Sequence, residues 1–253
     1  RETGTFRKRF EMTPLQLFRQ KWSRGCGSCH CDKATNVVLC KGTVPADVLF
    51  VGEAPGASED ILGVPFAGPA GKVLDGIIEE AMSKIDVRHD LLQPSECDCD
   101  GSGSCNICDG GLAWCKRCKG GESDLDDSCL FRKPVAMCYT NLVGCFPRDD
   151  KGVKSGEPDG AHIKSCRPRL AEFIQLVRPK IIVCVGLLSE KHVPAALSLP
   201  TTETRPARRR PSVIHVVHPA AILRAVPAQQ SLMRKQAVVR IANAVESLFT
   251  KEQ

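Results

Sequence analysis

The chain has 253 residues, with 35 Lys and Arg against 29 Asp and Glu for a formal charge of +6, and 15 cysteines. A chain this long can bury a core without disulfide help, and no apolar run reaches the roughly 18 residues that a membrane span needs. The odd cysteine count, behind an opening Arg1-Glu2-Thr3-Gly4 that is not a basic-then-apolar leader, argues against a disulfide framework and for thiolates holding metal in a reducing, cytoplasmic compartment.

Thr13-Pro14 followed by Leu15, Leu17, Phe18 and Trp22 reads as an N-cap, a proline at the first helical position and an amphipathic helix ending near Gly25. Asp47 to Val51 is a short apolar run ending at Gly52, as a buried parallel strand should be. A glycine-rich loop leads to a helix from Gly71 to Met82, on which Val73, Leu74, Ile77, Ile78 and Met82 recur at helical spacing. Between about Asp90 and Pro134 the periodicity gives way to Cys, Gly, Asp and Ser, which marks an insertion. Strands at Ala136 to Leu142, Lys180 to Gly186 and Val213 to Val217, with helices at Ile163 to Val177 and Ala228 to Phe249, complete the pattern. Alternation of this kind predicts an α/β three-layer sandwich with a central parallel four-stranded sheet flanked by helices. The division is then one domain from 1–89 and 134–253, interrupted by a cysteine-rich insertion at 90–133. In such sheets ligands bind beyond the carboxyl ends of the strands, so the loops after Val51, Tyr139, Val185 and Val217 should meet in one crevice.

The insertion carries two CxxC pairs, Cys105/Cys108 and Cys115/Cys118, with glycines after each. Four thiolates at this spacing can wrap a tetrahedral zinc, and the glycines permit the turns that aim the sulfurs inward. The stretch resembles the cysteine-rich zinc region of DnaJ-type proteins, without implying chaperone function. Cys97, Cys99 and Cys129 could serve a second metal.

The crevice loops hold Gly52-Glu53-Ala54-Pro55-Gly56 with Glu59-Asp60 after it, Pro65-Phe66-Ala67-Gly68-Pro69-Ala70-Gly71, Tyr139-Thr140-Asn141 with Cys145 beyond, Cys166-Arg167-Pro168, and His218-Pro219-Ala220-Ala221-Ile222-Leu223-Arg224. In this order the motifs resemble the uracil-DNA glycosylase superfamily, specifically its iron-sulfur family 4 type, over roughly residues 14 to 88 and 135 to 245. The resemblance implies that Cys26, Cys29, Cys145 and Cys166 ligate a [4Fe-4S] cluster, for which four thiolates are the appropriate donors; a structural zinc in the same cage is the alternative. Cys31 and Cys40 are extra thiols near that pair.

A glycosylase takes its base out of the stack and reads the Watson-Crick edge in a pocket. Phe66 resembles the family's ring that stacks on the flipped base. Asn141 offers an amide donor and acceptor suited to uracil O4 and N3–H, and backbone amides around Gly52, Glu53 and Ala54 can also bind the base. His218 resembles the family histidine near uracil O2, where a donor stabilises the charge growing on the leaving base. Glu53 and Glu59 are both candidates to orient water and favour the sugar cation, with Glu53 preferred; Glu59 and Asp60 also read as a capping or solvated pair. His215 reads as a neighbour of the site. Ile222 and Leu223 are placed to wedge into the minor groove with Arg224 on a phosphate. Arg208, Arg209 and Arg210, bordering the crevice, are candidates for backbone contact. One covalent relative of this family has a basic loop of RRIH type whose histidine attacks the sugar; here the run continues Pro211-Ser212, so no covalent adduct is expected.

The expected activity is hydrolysis of the uracil N-glycosidic bond in DNA by a monomer, leaving an abasic site for excision repair. Two alternatives remain: a glycosylase for a modified pyrimidine such as a phage hypermodified base, and a non-catalytic nucleic-acid-binding protein on the same fold. Neither GxGxxG nor GxxxxGK[ST] is present, which argues against a nucleotide-binding enzyme.

Overall fold

A computed structural model describes residues 12–29, 34–85, 135–147, 157–199 and 210–250. The expected zinc insertion at 90–133, together with Cys31, Arg208 and Arg209, lies outside the described residues.

The chain runs α1 (Pro14–Trp22), β1 (Lys41–Gly42), β2 (Val48–Gly52), α2 (Ala57–Leu62), α3 (Pro69–Lys84), β3 (Met137–Asn141), α4 (Gly160–Val177), β4 (Ile181–Val185), α5 (Leu187–Leu197), β5 (Ser212–Val216), α6 (Pro219–Arg224) and α7 (Pro227–Thr250). The strands form one sheet in the order β1-β3-β2-β4-β5. β3, β2, β4 and β5 are parallel, and β1 lies antiparallel on β3 with Lys41 opposite Tyr139 and Gly42 opposite Cys138. The sheet therefore has five strands where four were expected. The additional one is a two-residue edge, too short to show the period-two alternation by which a strand is read from sequence.

β2 and β4 are apolar throughout because helices cover both faces, and every residue of both is buried. Alternate side chains feed two cores. Leu49, Val51, Ile182 and Cys184 join Phe18, Leu170 and Phe173 from α1 and α4. Val48, Phe50, Ile181 and Val183 join Leu74, Ile77, Ile241 and Val245 from α3 and α7. Thr13 caps α1 through a reciprocal pair with Gln16, its amide donating to Oε1 at 2.7 Å and its Oγ1 accepting from the Gln16 amide at 3.2 Å. Phe18 then meets Phe173 of α4 with ring centroids 5.0 Å apart, and Trp22 Nε1 donates to Glu172 at 3.2 Å, so the N-terminal helix is docked on the domain. Among the described residues no helix is long and apolar enough to cross a membrane.

Candidate active site

β2 ends at Gly52, and the loop beyond it is stitched to the end of β3: Leu142 N donates to Gly52 O at 2.9 Å and Val143 N to Glu53 O at 3.1 Å. Any side chain at Gly52 would collide with two neighbours, because a Cβ there would lie 2.7 Å from Phe66 Cζ and closer still to Asn141 Oδ1. Gly52, Phe66 and Asn141 thus form one cradle. Asn141 is 3% exposed, and neither its amide nitrogen nor its amide oxygen is among the buried polar atoms left without a partner.

The Phe66 backbone sits at φ 54°, a left-handed conformation uncommon for a bulky residue. Three features hold it there. Its carbonyl accepts from Lys41 Nζ at 3.3 Å, its ring stands edge-on to Tyr139 with centroids 6.0 Å apart, and its backbone lies directly against Gly71 of α3.

The two glutamates have different surroundings. Glu59 accepts from Gly56 N at 3.0 Å on Oε2 and from Gly68 N at 2.7 Å on Oε1, so both oxygens are engaged by amides at the starts of α2 and α3. This is the geometry of a clamp between two loops. Its neighbour Asp60 is not solvated: it is 1% exposed and accepts from Thr35 N at 2.8 Å and Asn36 N at 3.2 Å. Glu53 has one such bond, from Leu188 N at 3.3 Å at the start of α5, and its carboxyl rests against Gly186. Burial pushes the Glu53 carboxyl above the ordinary range, the Leu188 bond opposes that, Glu157 adds to it and His215 works against it. Ala54 is half-buried against the first core.

His218 caps α6, its Nδ1 accepting from Ala220 N at 3.2 Å. An accepting Nδ1 leaves the proton of the neutral ring on Nε2, as a donor. Burial, with Arg224 next, pushes the imidazole below its usual value, while Glu59 pulls the other way. His215 lies on the face toward α5, with Nδ1 3.7 Å from Glu190 Oε2.

Of the expected DNA-contacting residues, Leu223 is 48% exposed and Arg224 and Arg210 are exposed. Ile222, expected beside Leu223 in the groove, is 5% exposed and packs into the core between the sheet, α3 and α7. On a helix of one and a half turns, adjacent residues point to different sides, and of the Ile222–Leu223 pair it is Leu223 that points outward.

The cysteines named as ligands gather at the corner where the Cys26 loop, the end of β3 and α4 approach one another. Cys26 and Cys29 have sulfurs 3.8 Å apart, Cys145 bridges to Val37 just after that loop, and Ser165 Oγ of α4 donates to Ser28 O at 3.1 Å. Burial, then the thiols of Cys166, Cys29 and Cys26, push the Cys145 thiol up to about 12, with Arg169 opposing. A thiol raised that far stays protonated unless a metal takes the proton's place. As placed, no three His, Cys, Asp or Glu side chains among the described residues stand close enough to hold a metal ion. Four thiols that all act on one another through Cys145 are the donors a group bound by four thiolates needs.

Arg169 and Lys41 escaped the sequence reading. Arg169 had a signal: it falls within the apolar stripe Ile163, Cys166, Leu170, Phe173 of α4, where a cation is out of place. Lys41 had none.

A family model described as the uracil DNA glycosylase superfamily matches residues 41–243. The chain belongs to that superfamily. Among its relatives are proteins named type-4 uracil-DNA glycosylase. That from Archaeoglobus fulgidus is 25% identical over 209 residues, covering 78% of each chain. That from Saccharolobus solfataricus is 28% identical over 171 residues, 67% of this chain and 55% of the relative, so this chain spans about half of that protein. A Thermotoga maritima relative is 41% identical over 58 residues, 22% of this chain and 30% of its own. In this superfamily member, Gly52, Glu53, Phe66, Asn141 and His218 all stand at the carboxyl end of the parallel strands, where the open α/β sheet places its ligand.

Proposed function

We propose that the chain is a monofunctional uracil-DNA glycosylase, hydrolysing the N-glycosidic bond of a flipped uracil and leaving an abasic site. The observation that carries this reading is the cradle of Gly52, Phe66 and Asn141, in which the Phe66 ring and Asn141 Oδ1 both stand directly against the Gly52 backbone. The Phe66 ring stacks on the extruded base. Asn141 donates to uracil O4 and accepts from N3–H; cytosine presents the opposite pattern and leaves both groups mismatched.

As the glycosidic bond breaks, negative charge grows on the base and positive charge on the sugar. His218, kept neutral by burial with its proton on Nε2, donates to uracil O2 without offering an acidic proton. Glu53, its carboxyl raised above the ordinary range by burial and with Oε2 free of hydrogen bonds from described residues, orients the attacking water and faces the sugar cation. Glu59 holds the loops around them. Leu223 fills the space the base vacates, and Arg224 and Arg210, with Arg208 and Arg209, contact phosphates. Cys26, Cys29, Cys145 and Cys166 hold a [4Fe-4S] cluster, which supplies a rigid anionic anchor between the N-terminal segment and the core and no electron to the hydrolysis. The insertion at 90–133 holds zinc through Cys105, Cys108, Cys115 and Cys118 and serves as a docking element. No histidine follows the basic run, so the product DNA is released without a covalent link.

End-labelled oligonucleotides bearing one uracil, treated with the protein and then alkali, should be cut at that position. Uncut uracil DNA together with release of another pyrimidine would replace uracil with that base.

A further inference from the structure

Arg169 is 2% exposed and is among the largest fully buried side chains. No carboxylate among the described residues pairs with it. Its guanidinium instead grips the end of β3: Nη1 donates to Thr140 Oγ1 at 3.2 Å, and Nη2 to the carbonyls of Asn141 and, at 3.1 Å, Leu142. The third edge of the fork, Nε, is buried without a partner among the described residues. It points toward Gly144, 3.3 Å from where a Cβ on that residue would stand, and Gly144 adjoins Cys145. Along α4, Arg169 is one turn beyond Cys166. The side chain therefore lies between the base-reading residue and the four-cysteine corner.

A buried cation whose partners among the described residues are a hydroxyl and carbonyl dipoles is costly unless an anion stands nearby. The carbonyls it grips belong to a segment already fastened on its other side, since the amides of Leu142 and Val143 donate to Gly52 and Glu53. Moving the end of β3 would displace Asn141, Gly52 and Glu53 together.

We propose that Arg169 is a positioning residue that couples the cysteine corner to the base pocket: its fork fixes the backbone of Asn141 and Leu142, and the anionic group held by the four cysteines balances its charge. The proposal rests on the glycosylase reading of Asn141 and the cluster reading of the cysteines.

Two variants separate fork from charge. Arg169→Lys keeps the charge as a point and loses the planar fork, whereas Arg169→Met keeps bulk and loses both. Holoprotein is purified with its iron content and its absorbance near about 400 nm recorded. Each form is titrated with dithionite for the reduction potential, and amide hydrogen exchange is read at Leu142 and Val143. Arg169→Met should have a more negative potential than the unaltered protein, because removing a neighbouring positive charge disfavours adding an electron. Arg169→Lys should keep the potential. Both should exchange faster at Leu142 and Val143, and both should excise uracil on the order of tenfold or more slowly with kcat affected more than KM.

Unchanged exchange in both variants overturns the positioning role, and an unchanged potential in Arg169→Met overturns the charge balance. If Arg169→Met does not fold, Arg169→Lys decides: a preserved potential with faster exchange supports the proposal, and wild-type exchange overturns it. Unaltered protein without iron at the corner overturns the cluster reading and the charge balance with it. Iron-loaded protein that leaves uracil DNA intact overturns the glycosylase reading alone.

Discussion

Gly71→Ala opposes two effects of known sign at a single carbon. Gly71 is buried inside α3, where alanine normally stabilises a helix by about 1 kcal/mol over glycine. Here the added Cβ would lie 2.9 Å from Phe66 Cα and closer to the Phe66 carbonyl. Comfortable carbon contacts begin near 3.5 Å, and the obstacle is backbone, so the Phe66 loop must retreat by something on the order of 1 Å. Overpacking of this kind costs about 1–3 kcal/mol, leaving a net loss of up to about 2 kcal/mol, or a fall in Tm of up to about 8 °C for a domain this size. The functional loss should be larger in proportion, because Phe66 is the proposed stacking ring and a 1 Å misplacement can cost about 100-fold. Gly76→Ala is the matched control on the same helix: its Cβ would meet only the end of the Arg234 side chain, at 3.3 Å, which can swing away. Thermal unfolding and single-turnover uracil excision are measured on both. A Gly71→Ala protein that is more stable and as active as its parent would refute the role given to Phe66 and the close approach behind it.

Further expectations follow from the same geometry. Glu59→Gln should lower stability by about 1.5–3 kcal/mol, as befits loss of charge-assisted bonds to two amides. Glu53→Gln should unfold near the parental temperature yet lose at least about 100-fold in excision rate; a reversal of these two outcomes in paired melting and kinetic measurements would exchange the roles of the acids. Asn141→Asp presents acceptors only, so excision of cytosine relative to uracil should rise, read by competition on a two-base substrate. His218→Ala should slow excision by about 100- to 1,000-fold with little change in DNA binding. His218 is depressed in the folded chain, so the unfolded chain takes up its proton first. Stability from the neutral ring is therefore present above the ordinary value of about 6.5 and lost as pH falls through the lower folded value, and His218→Asn should flatten that part of a melting-versus-pH curve. Excision should fall over the same acid range.

The elements that could be read from sequence are those long enough to show a period or apolar enough to demand burial on both sides. β2 and β4 are continuous apolar runs, α3 and α4 carry full stripes, and α3 begins two residues earlier than its stripe because Pro69 can occupy a first turn without an amide. α2 and α6, at six residues each, are too short to show a face, so the burial of Ile222 beside the exposed Leu223 is not legible from sequence. α5 escaped because Pro194 interrupts its pattern. The site was legible as motifs at strand ends, but partners are tertiary facts. Nothing in the sequence separates Glu53 from Glu59, since the distinction lies in which amides each carboxylate reaches.

The most direct test of the account is the product of one turnover. Unlabelled, iron-replete protein is mixed in excess with DNA containing a single uracil, and the released small molecule is identified by mass spectrometry while abasic sites are counted on the same DNA. The account predicts free uracil and abasic sites in equal amounts, no protein linked to the DNA, and loss of both products in the Glu53→Gln protein. Intact uracil after many multiples of the dissociation time, or DNA covalently attached to the chain, would contradict it.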